Sequence, residues 1–285
     1  MPPEAFEVVK VFNNNVVLAK HQGAEKILIQ KGLGFGRREG ALIPAETAFD
    51  KVFAIESPEA SSKFNQLISQ VDASLVGICE EIIYMISAET GQPVGDEIHV
   101  RFIDHIAFAV YRLRNNDKIE NPLQIEIETL YPKEMAIAEK AAAILAKSIG
   151  IAIPEGEIGF IALHIHTLKN KGKLSNTVKY TYLCNTVIEI IEDELEVEID
   201  RKSIDYARFI THIRFAVERI INKVPIRNDL LASIRKMYKG SYKLAKKLAQ
   251  FLENEVHIRV SDEEIGYIAM HVERLRNSSP YVELK

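Results

Sequence analysis

The stretch EIGFIALHIHTLKN, residues 157–170, recurs as EIGYIAMHVERLRN at residues 264–277, with Glu, Ile, Gly, Ile, Ala, His, Leu and Asn shared. Two unrelated segments of this length would share about one residue on ordinary usage. At the same shift of 107 residues, IDHIAFAVYRL (103–113) lies over ITHIRFAVERI (210–220). Asn121, Leu123, Tyr131, Ala138 and Lys140 then fall on Asn228, Leu230, Tyr238, Ala245 and Lys247 without a gap. Self-similarity at one fixed offset means one structural unit used twice. The chain is therefore expected to carry two copies of one domain, over 60–171 and 172–285, behind a different amino-terminal part over 1–57.

Each copy has a helical texture. Phe64, Leu67, Ile68, Val71, Leu75, Ile78, Cys79, Ile82, Ile83 and Ile86 recur at three and four residues, which predicts one long amphipathic helix. Further helices are expected through Ile103–Leu113, from Pro132 through Leu145, and after Pro154, whose fixed φ suits a helix start. The amino-terminal part reads differently. Short β-type runs at Phe6–Val11, Val16–Ala19, Ile27–Ile29 and Phe49–Ile55 are separated by NNN, HQGA and GLGFGRREG, which are turn chemistry. The expected fold is multidomain: a small all-β domain followed by two homologous all-α helical bundles. About 55 residues is marginal for independent stability, so pairing with a second copy is expected.

Composition bounds the function. Of 285 residues, 47% are hydrophobic and 27% charged, as in globular proteins, and the net charge of -4 excludes a chain that coats nucleic acid or membrane through bulk charge. Any nucleic-acid site must be local. Cys79 and Cys184 make no disulfide framework, the start MPPEAFEVVK lacks the pattern of a secretion signal, and no long uncharged apolar run suggests membrane insertion. A cytoplasmic location is the expectation.

The repeat sorts the eight histidines. His105 maps to His212 and His164 to His271, whereas His21, His99, His166 and His257 map onto Glu128, Tyr206, Glu273 and Gly150. Core packing alone would tolerate Leu, Met or Tyr at one of the four paired places. Retention of the imidazole points to acid/base work, metal ligation or acceptance of a phosphoryl group. Metal ligation is disfavoured, because there is no His-Glu-x-x-His pattern and no Cys near a paired histidine. Hydrolysis is disfavoured because no repeated Ser, Cys or carboxylate is recognised as nucleophile and orienter beside both histidines. Phosphorylation remains, and no cofactor or catalytic turnover is called for. Arg112 and Arg219, two turns after His105 and His212, are candidates for pairing with the phosphate, the alternative being solvated surface.

In the β domain, Asn13 to Asn15 suit a turn. Gln30 to Gly40 offers glycines for close approach, Phe35 for base stacking, and Lys31, Arg37 and Arg38 for phosphates. With no recognition helix, such a sheet suits RNA better than DNA.

Taken in order, KVFNNNVVLA, KGLGFGRREG, IDHIAFAVYRL, EGEIGFIALHIH and ITHIRFAVERI resemble the BglG/SacY/LicT family of transcriptional antiterminators, and within it the glucose-specific branch. The resemblance covers essentially the whole chain. It implies an RNA-binding co-antiterminator domain followed by two regulation domains of the sugar phosphotransferase system. It further implies a homodimer that binds a partly palindromic hairpin, the ribonucleic antiterminator, in a leader mRNA and so prevents an overlapping terminator. The family's RNA-contacting positions fall on Asn15, Gln30, Lys31 and Phe35, where Gln30 replaces a common glycine. Its phosphorylated histidines fall on His105, His164, His212 and His271. The implied donors are a sugar permease (enzyme II, here for glucose) for the first regulation domain and the phosphocarrier HPr for the second. A DNA-binding activator regulated by the same system is the alternative, and a histidine-dependent metal hydrolase a more distant one.

Overall fold

A computed structural model describes residues 5–117, 120–170 and 174–278, so the domain junction expected at 171–172 lies outside the described residues. The amino-terminal part is a five-stranded antiparallel sheet of β1 (Phe6–Val11), β2 (Val16–His21), β3 (Ala24–Ile29), β4 (Leu42–Ile43) and β5 (Lys51–Ala54), in the order β4-β1-β2-β3-β5. The β2–β3 hairpin closes through Gln22 and Gly23, both with positive φ (51° and 82°), as a tight turn matched to strand twist requires. One face of the sheet buries Phe6, Val8, Val17, Ala19, Leu28, Leu33 and Ile43 together. The opposite residues of β2 and β3, including Val16, Leu18 and Ile27, are also fully buried. That second face is covered from within the chain: Phe12 meets Phe64 edge-on at 6.4 Å, and Phe53 meets His99 at 4.9 Å. Part of the support that so small a sheet needs therefore comes from the helices that follow it.

Those helices begin with α1 (Pro58–Gln70) and α2 (Ala73–Thr90), where one long helix was expected. Val71 is extended, and the Asp72 carboxylate caps α2 by accepting the Leu75 N–H at 3.2 Å. The apolar spacing of Ile68, Val71 and Leu75 runs straight across this break, so periodicity alone did not reveal it. Then come α3 (Asp96–Arg114), α4 (Gln124–Leu130), α5 (Pro132–Ile149) and α6 (Glu155–Asn170). The second series is α7 (Leu174–Leu195), α8 (Ile204–Ile221), α9 (Leu231–Met237), α10 (Lys239–Val256) and α11 (Asp262–Ser278). Shifted by 107, the bounds of α4 and α5 reproduce those of α9 and α10 residue for residue. The short α4, α9 and β4 were not expected, because two turns of helix or two residues of strand carry too few apolar positions to show a period.

The chain divides into two compact units, one of residues 1–121 with 133–172, the other of 122–132 with 173–285. In the second, α4 supplies Glu126, whose carboxylate accepts from the buried Tyr206 hydroxyl at 2.9 Å. No helix among the described residues is long and apolar enough to cross a membrane. Cys79 and Cys184 are free and buried.

Candidate functional site

Residues that are 59 apart in sequence meet where helices pack. In the first unit α3 carries His105 and packs on α6, which carries His164; their rings lie 4.8 Å apart. In the second unit α8 carries His212 and packs on α11, which carries His271; these rings stack at 3.9 Å. The scaffold behind each pair is repeated as well. Asn121 Nδ2 donates to the Gly156 carbonyl at 3.2 Å, and its counterpart Asn228 donates to the Glu263 carbonyl at 3.3 Å.

Arg112 is buried and paired with Glu157; Arg219 grips Glu264 with two bonds of 2.6 and 2.9 Å. A solvated surface role for these arginines is thus set aside. Glu157 and Glu264 are repeat equivalents, which corrects the reading that no repeated carboxylate accompanies the histidines. Glu157 Oε2 lies 3.6 Å from His105 Nε2, too far for a hydrogen bond, and both buried atoms lack a hydrogen-bond partner. In the second site Tyr267, which replaces Phe160, meets His212 Nδ1 through its hydroxyl at 3.0 Å and stacks against Arg219.

Burial sets the electrostatics. It holds the His105 imidazole down at about 4, helped by the Arg112 charge, and His164 at about 3, helped by His105 and Arg101. His271 is lowered to about 4 by burial, then by His212, Arg274 and Arg219; His212 is lowered in the same way, by burial and then by Arg274 and Arg219. Burial raises Glu157 against the opposing pull of Arg112. All four rings are neutral near pH 7, which leaves each one a nitrogen lone pair to act as nucleophile. His105, His212 and His271 are half-buried, while His164 is only 5% exposed. Two of the unpaired histidines lie elsewhere: His99 is buried against Glu80 at 2.8 Å, and His21 stacks on Phe6. Among the described residues no group of His, Cys, Asp or Glu is arranged to hold a metal ion.

The β1–β2 turn and the loop after β3 form a second candidate surface. Asn15 Oδ1 accepts the Gly32 N–H at 3.0 Å and joins the two loops. Gly34 packs so closely that a Cβ there would come 2.1 Å from the Asn13 carbonyl oxygen. Phe35 is 77% exposed, and Lys31 and Arg38 are exposed beside it. Gln30 is half-buried, and Arg37 bends back to donate to the Leu33 carbonyl. Asn15, Lys31 and Phe35 therefore belong to one loop pair.

Comparison with known proteins gives this arrangement its context. A CAT RNA binding domain model matches residues 6–62, and a PRD domain model matches twice, at 80–168 and 185–275. The chain belongs to the BglG/SacY/LicT family of transcriptional antiterminators. It is 36% identical to the PtsGHI operon antiterminator of Bacillus subtilis, over 96% of this chain and 98% of that one. It is 30% identical to the transcription antiterminator LicT of Bacillus subtilis, over 94% and 98%, and 31% identical to Protein GlcT of Staphylococcus saprophyticus, over 94% and 96%. A crystal structure of GlcT CAT-PRDI matches with a TM-score of 0.50 and 39% identity, over 57% of this chain and 98% of that one. In this antiterminator the two loops lie within the RNA-binding domain, and one histidine pair lies in each PRD domain.

Glu157, Glu264 and Tyr267 were missed as site residues. Their signal was present, since Glu157 and Glu264 head the very repeat that selected His164 and His271. They were passed over because they stand 52 residues from His105 and His212 in sequence, and only the packing of two helices brings them near.

Proposed function

We propose that this antiterminator, as a homodimer, binds a leader-mRNA hairpin through Asn15, Gln30, Lys31, Phe35, Arg37 and Arg38. Binding prevents an overlapping terminator from forming, and phosphorylation of the paired histidines by the phosphotransferase system controls it. The observation that carries this reading is the duplicated site itself: two contacting neutral imidazoles, at least one of them open to solvent, beside a buried carboxylate held by an arginine. In each transfer a histidine nitrogen forms a bond to phosphorus while the bond from phosphorus to the donor's own side chain breaks and that side chain leaves. In the tautomer whose Nδ1–H donates to the Tyr267 hydroxyl, His212 offers Nε2.

The added group brings about -1.5 to -2 charges, by analogy with phosphorylated hydroxyl side chains. Two unit charges about 4 Å apart near a protein surface interact by about 4 kcal/mol. Against Glu157 this is comparable to the whole margin by which a domain is folded, about 5–15 kcal/mol. The site must rearrange, and Arg112 and Arg219 are cations placed to exchange a carboxylate for a phosphate. In the first PRD domain the donor is the sugar permease, with glucose as the signal, and the added charge silences RNA binding by disturbing the dimer. In the second the donor is HPr, with a stimulatory or minor effect. Titrating the protein with a leader RNA hairpin and with its DNA equivalent tests the reading. Preference for RNA, with a modest salt slope set by a few phosphate contacts, is expected; equal or stronger binding to the DNA would overturn it.

A further inference from the structure

The β1–β2 turn is held by a residue from outside its own domain. Glu81, half-buried on α2, accepts from Asn13 Nδ2 at 2.8 Å and from Asn15 Nδ2 at 3.2 Å, both on the same oxygen Oε1. One turn earlier on the same helix face, Gly77 is buried so close to the loop that a Cβ there would come 2.5 Å from Asn13 Nδ2. A glycine inside a helix costs about 1 kcal/mol relative to alanine, and here its missing side chain is what lets α2 reach the turn.

The turn does not need Glu81 for its shape. Asn13 Oδ1 accepts the N–H groups of Asn15 and Val16 at 2.8 and 2.9 Å, Asn15 Oδ1 accepts that of Gly32, and the Asn15 carbonyl accepts that of Gln30 at 3.0 Å. What the carboxylate engages is the amide donors left over, the groups available to a phosphate oxygen or a base acceptor. A carboxylate offers the same chemistry as phosphate, negative oxygens that accept hydrogen bonds.

We propose that Glu81 competes with RNA for Asn13 and Asn15, so that seating of α2 on the turn lowers RNA affinity and withdrawal of α2 raises it. The inference rests on the RNA reading of this loop given above. Glu81 takes one of the two N–H donors of each asparagine amide away from bound RNA, and its negative charge also opposes an approaching phosphate. The adjacent residue Glu80 is buried against His99 on α3, the helix of His105, so the seat of α2 is tied to the helix that bears the first histidine pair.

The test uses the full chain and an RNA hairpin that it enriches from a pool with randomised stem and internal-loop bases. Removing a competitor of two hydrogen bonds should tighten binding of Glu81→Ala about 5-fold. Glu81→Gln, which keeps the shape and loses the charge, should give part of that gain, and Gly77→Ala should act in the same direction by pushing α2 off the turn. The gain should vanish in an Asn13→Ala, Asn15→Ala background. If Glu81→Ala binds equally or more weakly while Asn15→Ala weakens binding, competition is overturned and the RNA reading stands. A gain that persists without the two asparagines overturns it too. If Asn15→Ala, Lys31→Ala and Phe35→Ala all leave affinity unchanged, the RNA reading itself fails and the inference falls with it.

Discussion

The first histidine site is drier than the second, although both are built from the same repeat. His164 is 5% exposed and Arg112 is buried against Glu157, whereas His271 is half-buried and Arg219 retains some exposure. In the first site Glu157 faces His105 without bonding it; in the second, Glu264 is satisfied by two bonds from Arg219, and Tyr267 takes the nearby imidazole. A phosphate placed on the first site, as proposed, would meet a buried carboxylate with one oxygen, Oε2, left unbonded beside the Arg112 pair, while one placed on the second would meet groups already paired. The difference teaches that the repeat kept the histidine pair and let its surroundings diverge in burial and hydrogen bonding.

The largest effect should come from removing the proposed acceptors. With His105 and His164 both changed to Ala, a reporter downstream of the leader terminator is expected to be expressed whether or not sugar is present, while the His212→Ala, His271→Ala variant should shift expression far less. Equal effects of the two double variants would erase the comparison. Next comes the carboxylate. Glu157→Gln leaves Arg112 buried without its counter-charge and should cost about 3–5 kcal/mol in chemical denaturation. Glu264→Gln, with a less buried arginine, should cost about half as much.

The sequence displayed the repeat and the four histidines because identity at a fixed offset needs no knowledge of packing. It also displayed the β-rich start, where turn residues punctuate short apolar runs. It concealed the Val71–Asp72 break, because Ile68, Val71 and Leu75 keep the helical period across it. The partners of the histidines were hidden for a related reason: Glu157 and Tyr267 act on rings of another helix, and no local spacing reports which helices cross. Glu81 was still less visible, since its contacts to Asn13 and Asn15 span the sheet and a helix.

The pH response should report burial at both sites, since His271 too is held near 4. His105 and His164 are held near 4 and 3, below the unfolded value near 6.5, so the folded protein binds fewer protons than the unfolded chain between those limits. Stability is full above about pH 6.5 and is lost as pH falls, by on the order of 3 kcal/mol for His105 at pH 4. Glu157 is raised and takes its proton early, which offsets part of that loss. Urea denaturation at pH 7 and 5 should show this loss, and His105→Asn with His164→Asn should remove their share and leave that of His271 and His212; an unchanged slope would contradict the burial argument. The smallest effect belongs to Tyr267→Phe, which removes one hydrogen bond to His212 and should cost about 0.5–1.5 kcal/mol in the same assay.

Mass spectrometry of the intact protein after incubation with phosphoenolpyruvate, the general phosphotransfer proteins and the soluble domains of the glucose permease is the most direct measurement. Acid-labile phosphate is expected on His105 or His164 and on His212 or His271, and on neither His21, His99, His166 nor His257. Label on those four instead, or none on either pair, would contradict the account.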